Sequence, residues 1–247
     1  MLKKLVSLAA ALLIALPVDG SVAFVRTATP LGGTNSSSFS ISFNGTGCDL
    51  ILVGVSQWKA SDTAPTATFD TTQNFTNHTS QTLTDGSGVR RVTIFRLVAP
   101  HQTTANVVVS WSAAVDEAVV GIDCWSGVDQ TTPLGTAVKA TSSGGATTLS
   151  VNVTAASGAF THDVYSGSAD STLGSTTNQT QRWREWATVA TTEGGGASAA
   201  GTGSAVTHTW SNIGQGGDPS VVRIVLIGVP INAAASSSKG VMMSSAQ

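Results

Sequence analysis

Charge is the first thing this 247-residue chain has little of. Asp, Glu, Lys and Arg make up 11% of it, against roughly 25% in an ordinary soluble domain. Twelve basic and 14 acidic residues leave a formal net charge of −2. Following a phosphate backbone takes clustered Lys and Arg, so no nucleic-acid partner is expected. Glu occurs only as Glu117, Glu185 and Glu193. Paired-carboxylate glycoside chemistry needs two carboxyl groups close together on one face; Asp116 and Glu117 are adjacent and in a strand point to opposite faces. There is no Gly-x-Ser-x-Gly elbow and no phosphate-cradling glycine loop. The expectation is a protein that is not an enzyme and carries no cofactor. Helical periodicity is missing after the N-terminal segment, and no later stretch reaches the ~20 apolar residues of a membrane span.

The first 23 residues form a distinct segment. Met1-Leu2-Lys3-Lys4 is a short basic head, Leu5 to Pro17 is apolar apart from Ser7, and Ser21-Val22-Ala23 supplies small residues before Phe24. That layout predicts a secretory signal peptide over 1–23, with a secreted or extracellular-surface location. Without Lys3, Lys4 and Asp19 the chain keeps 10 basic and 13 acidic residues. Solubility then rests on Ser, Thr, Asn and Gln, and such a neutral β-surface repels its own copies poorly.

The rest reads as short strands by alternation and β-branched content. Phe39 to Phe43 alternates apolar and polar. Leu50 to Val55 is nearly all apolar and predicts a central strand buried on both faces. Arg91–Val98, Asn106–Trp111, Glu117–Trp125, Thr148–Val153, Phe160–Tyr165, Ala205–Trp210 and Val221–Val229 follow, with Asp85-Gly86 and Gly144-Gly145 as turns. The expectation is all-β: a single antiparallel β-sandwich of about ten strands over 24–231. Residues 192–204, rich in Gly, Ala and Ser, are expected to form a flexible surface loop. Residues 232–247 are either a tail or an arm whose Val241, Met242 and Met243 pack on a neighbouring subunit.

Cys48 opens one of these strands and Cys124 closes another. They are a disulfide candidate in an exported chain, or else two buried thiols acting as small apolar residues. The four histidines, His78, His101, His162 and His208, are isolated in sequence. His162 beside Asp163 could join His208 on a neighbouring strand, yet no tight ligand spacing supports a metal. The aromatic segment Arg182-Trp183-Arg184-Glu185-Trp186 admits two readings. Trp183 and Trp186, with Arg184, could form a platform for stacking surface glycans; or Trp186 packs inward while Arg184 covers Trp183. Trp58, Trp111, Trp125 and Trp210 are expected to cap the ends of the core.

The order Leu50–Ser56, Val92–Pro100 and Ala105–Ser112, and above all Val120-Gly121-Ile122-Asp123-Cys124-Trp125-Ser126-Gly127-Val128-Asp129-Gln130-Thr131-Thr132-Pro133, resembles a widespread set of domains. These are uncharacterised jelly-roll-like sandwiches of bacterial exported proteins and phage structural proteins. The resemblance implies a jelly-roll-like fold and a surface or assembly role, and supplies no catalytic residues. Together these readings point to a self-assembling structural subunit of an extracellular filament or a virion surface. A secreted carbohydrate-binding or adhesive module is the alternative.

Overall fold

The computed structural model describes residues 20–85, 88–143, 148–167, 172–173, 179–187, 192–211 and 223–235. Most of the expected leader lies outside the described residues, as do Gly86, Gly144 and Gly145 of the expected turns. Val241, Met242 and Met243 of the expected arm lie outside them too.

The described chain is all-β, built from sixteen strands in three antiparallel sheets. As its unbroken apolar run implies, β3 (Leu50–Lys59) is central and its first eight residues are buried. It lies between β7 (Gly88–Val98) and β8 (Thr104–Ser126). Its two faces feed different cores. Ile51, Val53 and Val55 join one hydrophobic cluster, while Leu50 and Leu52 join another.

The 23-residue β8 organises the first sheet. Its first half pairs with β2 (Leu31–Asn44) and β4 (Thr66–Phe69). Its second half pairs with β3, with the start of β2 and with β1 (Ala23–Thr27). β5 (Gln73–Asn74) and β6 (Thr76–Asp85) complete the order β5-β4-β8-β3-β7-β6. The two halves share one core: Phe69 and Val107 from the first pack with Ile51 and Ile122 from the second.

The second sheet runs β13 (Gln179–Trp186), β14 (Glu193–Ala200), β11 (Phe160–Gly167), β16 (Ile224–Ile231), β9 (Val138–Ser142). The third runs β10 (Thr148–Thr154), β15 (Ala205–Ser211), β12 (Thr172–Leu173). Leu52, Val119, Trp125, Val164, Trp183 and Ile227 fill the space between the first and second sheets. Val153, Tyr165, Trp210 and Leu226 fill that between the second and third.

This arrangement has more strands and more layers than the expected ten-strand sandwich. The reason lies in β11, β14 and β16, which are buried almost throughout. Strands without an exposed face need cover on both sides, which a second sheet alone cannot supply.

One expectation is overturned outright. Within residues 192–204, Glu193 to Ala200 form β14 rather than a flexible loop, with Glu193 to Ala199 buried between β13 and β11, and only 201–204 connect it to β15. The glycines of β14 serve close approach rather than mobility. A Cβ on Gly195 would come 2.7 Å from the Trp210 ring, and one on Gly194 would come 2.7 Å from the Ser56 side chain. The expected capping role of the tryptophans also fails for two of them. Trp125 and Trp210 have no exposure and lie inside the intersheet cores.

Cys48 and Cys124 are joined by a disulfide, with Cα atoms 5.4 Å apart. It ties the residues just before β3 to the end of β8. At the chain's described ends, a Cβ on Gly20 would meet Ala234 O at 2.8 Å, and the Ala234 N–H donates to Gly127 O. Entry and exit therefore lie side by side.

Candidate functional site

The chemistry-bearing side chains converge on β11. Thr161, His162 and Asp163 follow one another at its start and are all buried. Alternation sends His162 towards the first sheet, and Thr161 and Asp163 towards the third.

On the outer side, His208 of β15 reaches down between the sheets. Its Nδ1 lies 2.6 Å from Asp163 Oδ2 and its Nε2 lies 2.7 Å from Thr161 Oγ1. Asp163 collects further donors: Trp210 Nε1 and the Ala197 N–H on Oδ1, both at 3.1 Å, and Gln179 Nε2 on Oδ2 at 2.8 Å. A buried carboxylate is tolerated when its oxygens are satisfied in this way. The order hydroxyl, imidazole, carboxylate is that of nucleophilic hydrolases. Here, however, Thr161, His208 and Asp163 have no exposure, and the Thr161 hydroxyl donates to Ala199 O at 3.2 Å. Tyr165 and Trp210 stack nearby with centroids 4.1 Å apart. The arrangement works as a polar clasp between the second and third sheets.

On the inner side, His162 Nε2 lies 3.6 Å from Asp123 Oδ2 of β8. Trp183 Nε1 donates to that same oxygen at 3.2 Å. Burial pushes the Asp123 carboxyl up to about 7, against the pull of Thr27, Arg182 and Trp183. Burial also pushes His162 down to about 3, helped by the nearby His208 and Arg182. Near neutrality His162 is therefore an uncharged ring, packed edge-on to Trp125.

His162 and His208 thus lie on opposite sides of the second sheet and do not share a ligand. Among the described residues no group of three or more His, Cys, Asp or Glu is placed to hold a metal ion.

Of the two readings of the aromatic segment, a platform shared by Trp183 and Trp186 does not fit its burial. Trp183 is buried, wedged where Gly54 and Gly121 face each other across β3 and β8. A Cβ on Gly121 would come 2.0 Å from the indole, and one on Gly54 would come 2.6 Å from it. Without side chains, the two glycines leave a slot that takes a flat ring. The alternative reading of this segment is inverted as well. Trp183 is the inward residue and Trp186 the half-buried one. Arg184 pairs with the buried Glu193 rather than covering Trp183. It is Arg182 that lies over an aromatic ring, 3.8 Å from the Phe24 centroid.

A second polar cluster bridges the first two sheets. Arg90 of β7, nearly fully buried, donates through Nη1 to Ser166 Oγ at 3.0 Å and to Gly167 O at 2.8 Å. Nearby, Thr192 donates to Glu117 of β8. At the surface, a cleft of about 400 Å³ lies between β4 and β6, with Ala67, Phe75 and Phe95 at its floor and Thr66, Asn74 and Asn77 at its rim.

Sequence reasoning missed Asp123, Thr161 and Arg90 as interior groups. The available signal for Asp123 was a lone carboxylate inside the apolar run Val119–Trp125. No protein-family model, curated protein or solved structure matches the chain.

Proposed function

We propose that this chain is a non-enzymatic structural subunit, a jelly-roll-like sandwich that self-assembles into or decorates an extracellular filament or a virion surface. The observation that supports this most is the character of its exposed strands. On β2, Ser38, Ser40, Ser42 and Asn44 face solvent. On β10 the exposed positions are Thr148, Ser150, Asn152 and Thr154. Across to β15, Ser150 bonds Thr209 at 2.9 Å and Thr207 donates to Asn152 at 2.8 Å, an uncharged ladder of hydroxyl and amide groups. Such a surface lacks the like-charge repulsion that keeps copies apart. Asp163 and His162 of β11, with His208 of β15 and Asp123 of β8, are meanwhile buried between the sheets.

The test is direct. Purified chain, viewed by electron microscopy and weighed by sedimentation velocity over a wide concentration range, is expected to form regular fibres or shells. A chain that stays monomeric at every concentration would overturn the proposal. Binding of that monomer to a glycan array would then favour an adhesive module.

A further inference from the structure

We infer that the outer edge of β2, from Ser38 to Asn44, is an interaction surface for a second copy of this chain, the two strands pairing antiparallel about Ile41. The inference rests on the self-assembly reading and gives it a location.

Open sheet edges template further strands, and proteins block them with charge, bulges, brevity or cover. Among the described residues, most edges here are blocked. β6 is bulged at His78, whose Nε2 lies 3.1 Å from Gly135 O, and Lys139 Nζ donates to Ser80 O beside it. β13 is bulged between Gln181 and Trp183 and carries Arg182, Arg184 and Glu185. β9 holds Lys139, β1 holds Arg26, and β5 and β12 are two residues long. The stretch Ser38–Asn44 has no charge, proline, glycine or bulge and keeps unbroken register with β8. β10 shares that composition; at β2 the hydrogen bonds of the flanking residues also fix which backbone groups face outwards.

They do so as follows. The Gly45 N–H donates to Thr103 O at 2.8 Å, and the Asp70 N–H donates to Asn106 O at 3.2 Å. Odd-numbered residues of this part of β8 therefore turn to β2, and even-numbered ones turn to β4. Through the register Phe39↔Val109, Ile41↔Val107 and Phe43↔Ala105, the apolar residues of β2 bond to β8. Alternation then turns the N–H and C=O of Ser40 and Ser42 outwards. The flanking outward carbonyls are occupied: Ser36 Oγ donates to Ser38 O and Arg26 Nη1 to Asn44 O, both at 2.7 Å. Among the described residues no strand pairs with β2 on this side.

The occupant follows from the sequence itself. Ser38-Phe39-Ser40-Ile41-Ser42-Phe43-Asn44 reads almost the same in both directions. A two-fold axis at Ile41 sets Ser40 opposite Ser42 of the second copy, each pair exchanging two backbone hydrogen bonds. It also sets Phe39 opposite Phe43 of the second copy. The hydroxyls share one face, while Phe39 and Ile41, each 8% exposed at the rim of the core, continue the apolar face. This is the self-complementarity of an isologous contact.

The experiment compares the full chain with Ser40→Pro and Ser42→Pro, which remove only outward N–H groups, and with the double change to Ala, which keeps them. A second pair covers any proline variant that fails to fold. Ser40→Lys/Ser42→Lys and Ser40→Glu/Ser42→Glu each place like charges opposite one another across the axis. Sedimentation velocity is expected to show associated wild type and alanine variant, loss of the β2-joined species in the proline, lysine and glutamate variants, and its return when the lysine and glutamate variants are mixed. A wild type that associates while proline and lysine variants associate equally would overturn the β2 edge and leave self-assembly standing. A monomeric wild type would overturn both.

Discussion

At the scale of single residues, two features carry measurable consequences. The Trp183 indole sits in the slot between Gly54 and Gly121, so Trp183→Ala should cost about 3–5 kcal/mol of unfolding free energy as a core cavity. Gly121→Ala, whose new methyl would fall 2.0 Å from the ring, should cost about 1–3 kcal/mol by overpacking. Urea titration followed by tryptophan fluorescence measures both, and a neutral Gly121→Ala would refute the slot. The second feature is the Asp123–His162 contact. Asp123 rises from its ordinary 3.8 to about 7 on folding, so its contribution is full below about pH 4 and is lost as pH rises through 7. His162 falls from 6.5 to about 3, so its contribution is full above pH 6.5 and is lost as pH drops towards 3. Taken alone, each is worth about 4–5 kcal/mol at most. Between about pH 4 and 6.5 these two trends oppose and nearly cancel, so stability set by this pair should be level across that window and fall only below about pH 4 and above about pH 6.5. In urea midpoints plotted against pH, Asp123→Asn should uncover a rise from about pH 3 to 6.5 and His162→Gln a fall from about pH 4 to 7; variants as level as the wild type would refute the coupling.

At the scale of elements, the sequence was readable where a strand keeps one wet face or none. The alternation of Phe39 to Phe43 and the apolar run of Leu50 to Val55 marked β2 and β3, because the pleat writes its burial directly into the residue types. β14 was not readable. Glu193-Gly194-Gly195-Gly196 looks like a linker, since glycine signals mobility unless its neighbours are known. Its neighbours here are Ser56, Trp210, Tyr165 and Trp183, which come from four other strands. Likewise the site on β11 was half visible: His162, Asp163 and His208 stood out by type. Alternation separates His162 from Asp163, but the placing of His208 against Asp163 depends on a third sheet that no local pattern announces. The glycan platform failed for the same reason, because the partners of Trp183 are two glycines from other strands. Hydrogen exchange distinguishes strand from loop at β14. The amides of Gly194 to Ala199 should be protected to nearly the global unfolding free energy, whereas a surface loop would exchange within seconds.

At the scale of the whole molecule, three sheets share one middle layer, so the outer sheets cannot come away without exposing β11, β14 and β16. Unfolding is expected as a single transition with coincident fluorescence and circular-dichroism curves; two resolved steps would argue against it. The Cys48–Cys124 bond closes a separation of 76 residues, and chain entropy assigns such a loop about 4 kcal/mol. Denaturant midpoints of Cys48→Ala/Cys124→Ala against the oxidised chain check that figure. The contact of Gly20 with Ala234 has a different kind of consequence. A fold whose two strands of approach meet at one spot is a closed loop hung from a single peg. Another protein could carry it inside one of its own surface turns without stretching.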